Sequence, residues 1–314
     1  MSQRPGQSSA KNTAANVLII VVVGLVLTKA GVAWLTGSIS IIAQATDSLI
    51  DLFAGIITFS AVRYAGRPAD AEHPYGHGKI ENIGGVVQGV LIFIAASLII
   101  YASVNRIVSG AVVEIPLAGV GVMAFSILVS VSLSRYLFRA ARDTDSVVLE
   151  ANAHNIAADV YSASAVLVGL LIVAITGIAF IDSILAIAVA LYIFTISFRA
   201  LSASGRGLLD TRIAHEEEQL IMACVERHKE QVAGLHYLRT RRAGSQRYID
   251  FHIVMNKDIT LDESHRIIDR IESEIRERLP EASVTIHAEP CDRSCERCAA
   301  ECEAREREWR ARNR

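Results

Sequence analysis

The stretch Ile41-Ile-Ala-Gln-Ala-Thr-Asp47-Ser-Leu-Ile-Asp51-Leu-Phe-Ala-Gly-Ile-Ile-Thr-Phe-Ser60 decides the fold. It has the length and apolarity of a membrane span, yet it carries two aspartates. Their i, i+4 spacing puts Asp47 and Asp51 on one face of a helix, a single turn apart. An ionised carboxylate near mid-bilayer costs roughly 3 kcal/mol on insertion scales. Two on one face also repel each other unless a cation or a proton lies between them. The stretch reads as a membrane helix built to hold positive charge.

The rest of the chain agrees. Its 314 residues are 52% hydrophobic with a mean hydropathy of +0.36, too apolar for an ordinary soluble domain. Six apolar segments, near 15–35, 39–64, 80–107, 117–138, 147–175 and 178–198, are each long enough to cross about 30 Å of hydrocarbon. The connections 63–79, 135–145 and 199 onward are charged, whereas those around Gly37, Glu114 and Gly177 carry no Lys or Arg. The positive-inside rule then puts both termini in the cytoplasm of a multi-pass protein of the inner (plasma) membrane. Residues 1–14 are polar, lack a signal-peptide cleavage pattern and are expected to form a disordered tail ahead of a transmembrane domain at 15–207. The net charge of −2 says nothing about nucleic acid, but with no basic stripe, no nucleic-acid motif and few aromatics no such partner is expected.

From 208 to 290 the pattern is that of a small α/β domain. Residues 214–230 and 261–278 read as helices, and 235–242, 246–255 and 282–288 as strands, with Gly244 turning a hairpin. Ile249, Phe251, Ile253 and Met255 alternate with Tyr248, Asp250 and His252, so one face of the second strand is apolar. The order α-β-β-α-β predicts one three-stranded sheet with helices on one face. Residues 291–314 form a charged tail with four of the five cysteines, Cys291, Cys295, Cys298 and Cys302. Cys224 falls within the apolar pattern of a helix and reads as core. Gly85 and Gly89 form a GxxxG step that lets two helices approach closely.

The aspartate pair has a counterpart in the fifth segment, where Asn155 and Asp159 repeat the i, i+4 spacing. If the two faces meet, four oxygen-donor side chains surround one point. After the second segment comes His73-Pro-Tyr-Gly-His77-Gly-Lys79-Ile-Glu81, and near the end Val284-Thr-Ile-His287-Ala-Glu289-Pro290. On these motifs, over about residues 17–290, the chain resembles the cation diffusion facilitator family of divalent metal/proton antiporters.

The resemblance implies a six-helix membrane bundle carrying a metallochaperone-like α/β domain in the cytosol. It implies a homodimer in the bilayer, and a transporter rather than an enzyme, exporting a divalent metal against inward protons. It assigns Asp47, Asp51, Asn155 and Asp159 to the transport site, and Asp70, His73 and His77 to a second site in the loop. A regulatory divalent metal, zinc or the substrate ion, would bind His236, His252, His287 and Glu289 in the cytosolic domain, with His265 a further candidate. Lys79 and Asp210 would form a charge interlock between membrane and soluble parts.

One position departs from the pattern. Zinc carriers of this family usually have histidine where this chain has Asn155. His154 is adjacent but rotated about 100° around the helix. Oxygen ligands suit Mn²⁺, or Fe²⁺, better than imidazole-containing cages do, although Zn²⁺ outranks Mn²⁺ at most sites in intrinsic affinity. The expectation is export of Mn²⁺ or Fe²⁺, with Zn²⁺, Cd²⁺ or Co²⁺ the alternative. The tail pulls the other way: one helix cannot wrap four thiolates around one ion, but cysteine pairs from two subunits could hold a soft metal, the alternative being a disordered or helix-pairing tail. Two other classes fit less well. An intramembrane aspartyl protease draws its acids from two helices with a glycine-bearing motif at the second, whereas Asp47 and Asp51 share one helix and Asp159 has no adjacent glycine. A membrane-anchored metal sensor would bind without moving ions. Replacing Asn155 by His should move selectivity towards Zn²⁺ in a metal-competition transport assay, and an unchanged metal profile would refute the role given to the amide.

Overall fold

Long runs of Val, Ile, Leu and Ala without internal proline favour uninterrupted helices, because nothing in them competes for the backbone bonds. The computed structural model describes residues 5–36, 39–109, 117–176 and 180–291, with the side chain of Asp47 outside that description. It divides the chain into two compact units, Met1–Leu208 and Leu209–Arg314.

The first unit is a bundle of α1 (Pro5–Thr36), α2 (Ile39–Ala65), α3 (Lys79–Ser109), α4 (Leu117–Thr144), α5 (Val147–Thr176) and α6 (Phe180–Leu208). Among the described residues, α1, α2, α3, α4 and α6 each contain a stretch long and apolar enough to cross a membrane. The first half of α5 carries Glu150, Asn152, His154, Asn155 and Asp159. That polarity has a structural counterpart, since α5 packs against α2, α3, α4 and α6. Its Asn152 and Asn155 are buried, so the polar half of the helix faces protein. Large apolar side chains such as Trp34, Leu98, Tyr101, Leu128 and Phe198 point outward, as the surface of a membrane bundle requires.

Two close approaches set the packing. A Cβ added at Gly85 would overlap Ser204, and one at Gly89 would overlap Leu201, both on α6. The GxxxG step is therefore spent inside the chain, where it seats α3 on α6. Around α1, α2, α4 and α5 a separate core gathers Leu18, Val22, Val62, Leu137, Leu149 and Ile156.

The N-terminal boundary differs from the expected disordered tail. Helix α1 begins at Pro5, well before residue 15. Proline suits the first turn of a helix, where its missing N–H has no partner to lose. The reason the helix extends so far is a buried ion pair: Lys11 Nζ donates to Glu81 Oε1 of α3 at 2.7 Å, with both side chains at most 5% exposed. Helices α4 and α6 likewise run past their expected ends, to Thr144 and Leu208.

The second unit contains α7 (His215–Glu226), β1 (Val232–Ala243), β2 (Gln246–Met255), α8 (Leu261–Arg278) and β3 (Ala282–Pro290). The sheet order is β1-β2-β3, with β1 antiparallel and β3 parallel to β2. Gly244, at φ 60°, makes the hairpin turn that the antiparallel pair needs. The parallel pair needs a crossover, which α8 supplies, and Thr260 caps that helix by accepting from the Glu263 N–H at 3.2 Å. Ile249, Phe251, Ile253 and Met255 pack with Ile221 and Cys224 of α7 and Ile267, Ile271 and Ile275 of α8. The expected apolar face is thus the one the helices cover, and Cys224 is core.

Removing one member of a buried ion pair leaves the other charge stranded. Lys11→Ala should therefore cost about 3 kcal/mol, and Lys11→Met with Glu81→Gln should recover most of it. Unfolding of the detergent-solubilised protein checks this; an unchanged midpoint for the single variant would refute it.

Candidate metal centres

Three places collect groups able to hold a cation. The first is in the bundle. Helix α2 packs against α5. Asp51 is the thirteenth residue of α2 and Asp159 the thirteenth of α5, so both lie near the middle of long helices. Both are half-buried, and Asn155 is 9% exposed. Asp47 lies one turn before Asp51 on α2. His154 turns to α4 instead, where its ring meets Phe138 edge-on with centroids 4.8 Å apart. That contact engages the imidazole with an aromatic partner on α4.

One neighbour of this region was not anticipated. Lys29 of α1 donates from Nζ to Ser48 Oγ at 2.7 Å, and Ser48 follows Asp47 directly. The sequence does carry a signal for it: Lys29 is the lone charged residue of the expected first span, 15–35.

The second centre is the loop between α2 and α3. Asp70 Oδ1 accepts from the backbone N–H groups of Glu72 at 3.1 Å and His73 at 2.7 Å. The His73 carbonyl accepts from the Gly76 N–H at 2.8 Å, with Gly76 at φ 78°. This folds the loop back so that His73 Nδ1 lies 3.3 Å from Asp70 Oδ1 and His77 Nε2 lies 3.4 Å from Asp70 Oδ2. The three ligand atoms lie within 4.8 Å of one another. They converge through an aspartate turn and a glycine turn, although their i, i+3 and i+4 spacing would also fit a helical turn. Pro74 disfavours helical backbone at His73, and α3 starts only at Lys79. The backbone N–H of His73 on its carboxylate holds the Asp70 carboxyl below its usual value, helped by the two imidazoles.

The third centre is on the open face of the sheet. His236 pairs with His252 across β1–β2, and His252 with His287 across β2–β3, so three histidines stand in one row. Glu289, two residues further along β3, reaches back to them. Its Oε1 lies 2.7 Å from His252 Nδ1 and its Oε2 lies 3.0 Å from His236 Nε2. His236, His252 and Glu289 keep their ligand atoms within 4.8 Å. His287 stands at the rim, with Nε2 3.9 Å from Glu289 and a side chain 65% exposed. Bonds of about 2 Å from a divalent ion hold neighbouring ligand atoms roughly 3–4 Å apart, close to these separations. His265 does not join them: it lies on α8, 73% exposed, with Asp269 at 3.8 Å, and α8 covers the opposite face. Asp210 takes Arg241 Nη1 at 3.2 Å within its own unit. Cys291 ends the described chain, donating its backbone N–H to the Met255 carbonyl at 2.8 Å; Cys295, Cys298 and Cys302 lie outside the described residues.

The hydrogen bond from His252 holds Glu289 below its ordinary carboxyl value of 4.5, with His236 adding to the effect. A carboxyl group lowered on folding stabilises the fold fully above its unfolded value, and that stabilisation is lost as the pH falls through the folded one. In the presence of a chelator, thermal stability should therefore drop more steeply below about pH 4.5 in the wild type than in Glu289→Gln. Parallel pH profiles of the two melting curves would contradict the pairing.

Comparison with known proteins identifies both parts of the chain. Residues 16–209 match the cation efflux transmembrane domain, and residues 213–291 match the cytoplasmic domain of cation efflux proteins. The chain is 34% identical over 263 residues to the cation-efflux pump FieF of Shewanella oneidensis, covering 82% of this chain and 87% of that one. It is 31% identical over 272 residues to FieF of Salmonella newport, covering 85% and 88%. An uncharacterized transporter of Synechocystis is 30% identical over 264 residues, covering 84% and 85%. With two matched domains, a bundle of long apolar helices and the α-β-β-α-β unit, the chain belongs to the cation diffusion facilitator family of multi-pass cation efflux transporters.

Proposed function

We propose that this transporter exports a divalent transition metal from the cytosol in exchange for protons, binding it at Asp47, Asp51, Asn155 and Asp159. The observation that carries this reading is the mid-helix position of Asp51 and Asp159 on two helices packed together, with the buried Asn155 one turn before Asp159. Carboxylates there are costly without a counter-charge, and an arriving cation supplies it. A bound cation favours the ionised acids, while burial favours their protonated forms. Metal arrival therefore releases protons and metal departure takes them up, which is the coupling an antiporter needs. The amide of Asn155 contributes an oxygen but no proton.

An oxygen-only donor set favours Mn²⁺ or Fe²⁺, and the packing of His154 against Phe138 supports that reading by keeping the nearby imidazole occupied. Relatives named as cation-efflux pumps support the direction of transport. The charged connections favour an inner-membrane protein with both termini in the cytoplasm. In the working form we infer a homodimer whose cytoplasmic domains bind a regulatory divalent metal at His236, His252, His287 and Glu289. The loop residues Asp70, His73 and His77 offer a second cytosolic-side station, and Lys79 with Asp210 the proposed interlock.

Reconstituted proteoliposomes test the reading directly. Mn²⁺ flux driven by an opposing pH gradient should be lost in Asp51→Ala and in Asp159→Ala, and persist in His236→Ala. Flux that survives both aspartate changes would overturn the site, and absence of any metal flux in the wild type would favour a sensor.

A further inference from the structure

We propose that Lys29 is a tethered counter-cation of the Asp47–Asp51 pair, a positioning residue whose ammonium competes with the metal and promotes its release. This rests on the transport-site reading above. A hydrogen bond and its place on the helix bring the charge to this segment of α2. Lys29 Nζ donates to Ser48 Oγ at 2.7 Å, and Ser48 is only 2% exposed. Ser48 lies three residues before Asp51, and side chains at i and i+3 share a helix face, while Asp47 precedes Ser48 about 100° around the helix. The ammonium is thereby held against the segment of α2 that bears both acids.

Depth agrees as well. Helix α1 ends at Thr36 and α2 starts at Ile39, so the two form a tight antiparallel pair. Lys29 lies seven residues before the end of α1 and Asp47 eight residues after the start of α2. At 1.5 Å per residue these are the same level in the bundle. A lysine at that level, inside an otherwise apolar span, faces the insertion cost that the aspartates face. One interaction lowers both costs.

The consequence for transport follows from charge. Before metal arrives, the ammonium offsets part of the repulsion between the two carboxylates. A divalent cation entering the pair meets a like charge on a long, flexible stem. Four methylenes let that charge withdraw while remaining near enough to oppose the metal. The opposition weakens binding and speeds departure, which a carrier needs and a storage site does not. Arg in place of Lys would keep the charge. Methionine or glutamine would keep most of the volume and lose it.

Initial rates of Mn²⁺ and of Zn²⁺ flux in proteoliposomes of the full chain give the test. Lys29→Met and Lys29→Gln should each lower KM by about tenfold and lower kcat as well, as expected when a like charge near the site is removed. Lys29→Arg should stay near wild type. Ser48→Ala, which loses the tie and keeps the charge, should shift KM far less than Lys29→Met. Metal titration of the same variants in detergent reads the affinity gain even where turnover is lost. The inference is overturned if neutral variants bind no more tightly than wild type, or if Ser48→Ala reproduces their full effect. Asp51→Ala separates the two layers: flux that survives it removes the site itself, whereas flux lost there with unchanged affinity in Lys29→Met removes only the role of the lysine.

Discussion

A charge inside an apolar bundle must find its opposite inside the bundle, and most of this membrane unit can be understood from that constraint. Water is the cheap partner elsewhere, and it is scarce between α1 and α6. Where the chain itself supplies the opposite charge, as Lys11 does for Glu81, the result is a fixed tie between helices. Where acids sit at mid-helix on two packed helices, as Asp51 and Asp159 do, the balance can come from something that arrives and leaves. The same constraint explains the position of α5. The first half of that helix, with Asn152, Asn155 and Asp159, is poorly suited to lipid, and the helix packs against α2, α3, α4 and α6.

Much of this was legible in the chain because both membrane and sheet impose simple periodicities. The long apolar runs gave six helices, and the alternation from Tyr248 to Met255 identified the covered face of the sheet. What could not be read has a physical reason in each case. The N-terminal helix depends on a contact between residues seventy positions apart, Lys11 and Glu81, which local polarity conceals. Asp70, His73 and His77 have helical spacing, but Pro74 and the left-handed Gly76 bring them together in a loop, which spacing alone does not reveal.

The sheet offers the clearest case. Simple alternation along β1 puts His236 on the face opposite Arg239 and Arg241, among the apolar side chains. A bulge between His236 and Arg239, with Tyr237 at φ 52°, reverses that parity. His236 then comes opposite His252 and within reach of Glu289. A backbone irregularity, not a residue type, completes the histidine row. Family resemblance could name His236, but alternation alone would have sent it into the core.

The early start of α1 also bears on how this protein can be handled. The first residues of a membrane protein are commonly trimmed or extended with little thought, because they are taken for slack. Here Ala14, Ala15 and Leu18 are buried and Lys11 is locked to α3. A truncation that reaches residue 11 removes part of the bundle and strands a carboxylate next to the loop that carries His73 and His77. A fusion partner belongs ahead of Pro5, with enough linker to leave the first turn of the helix intact.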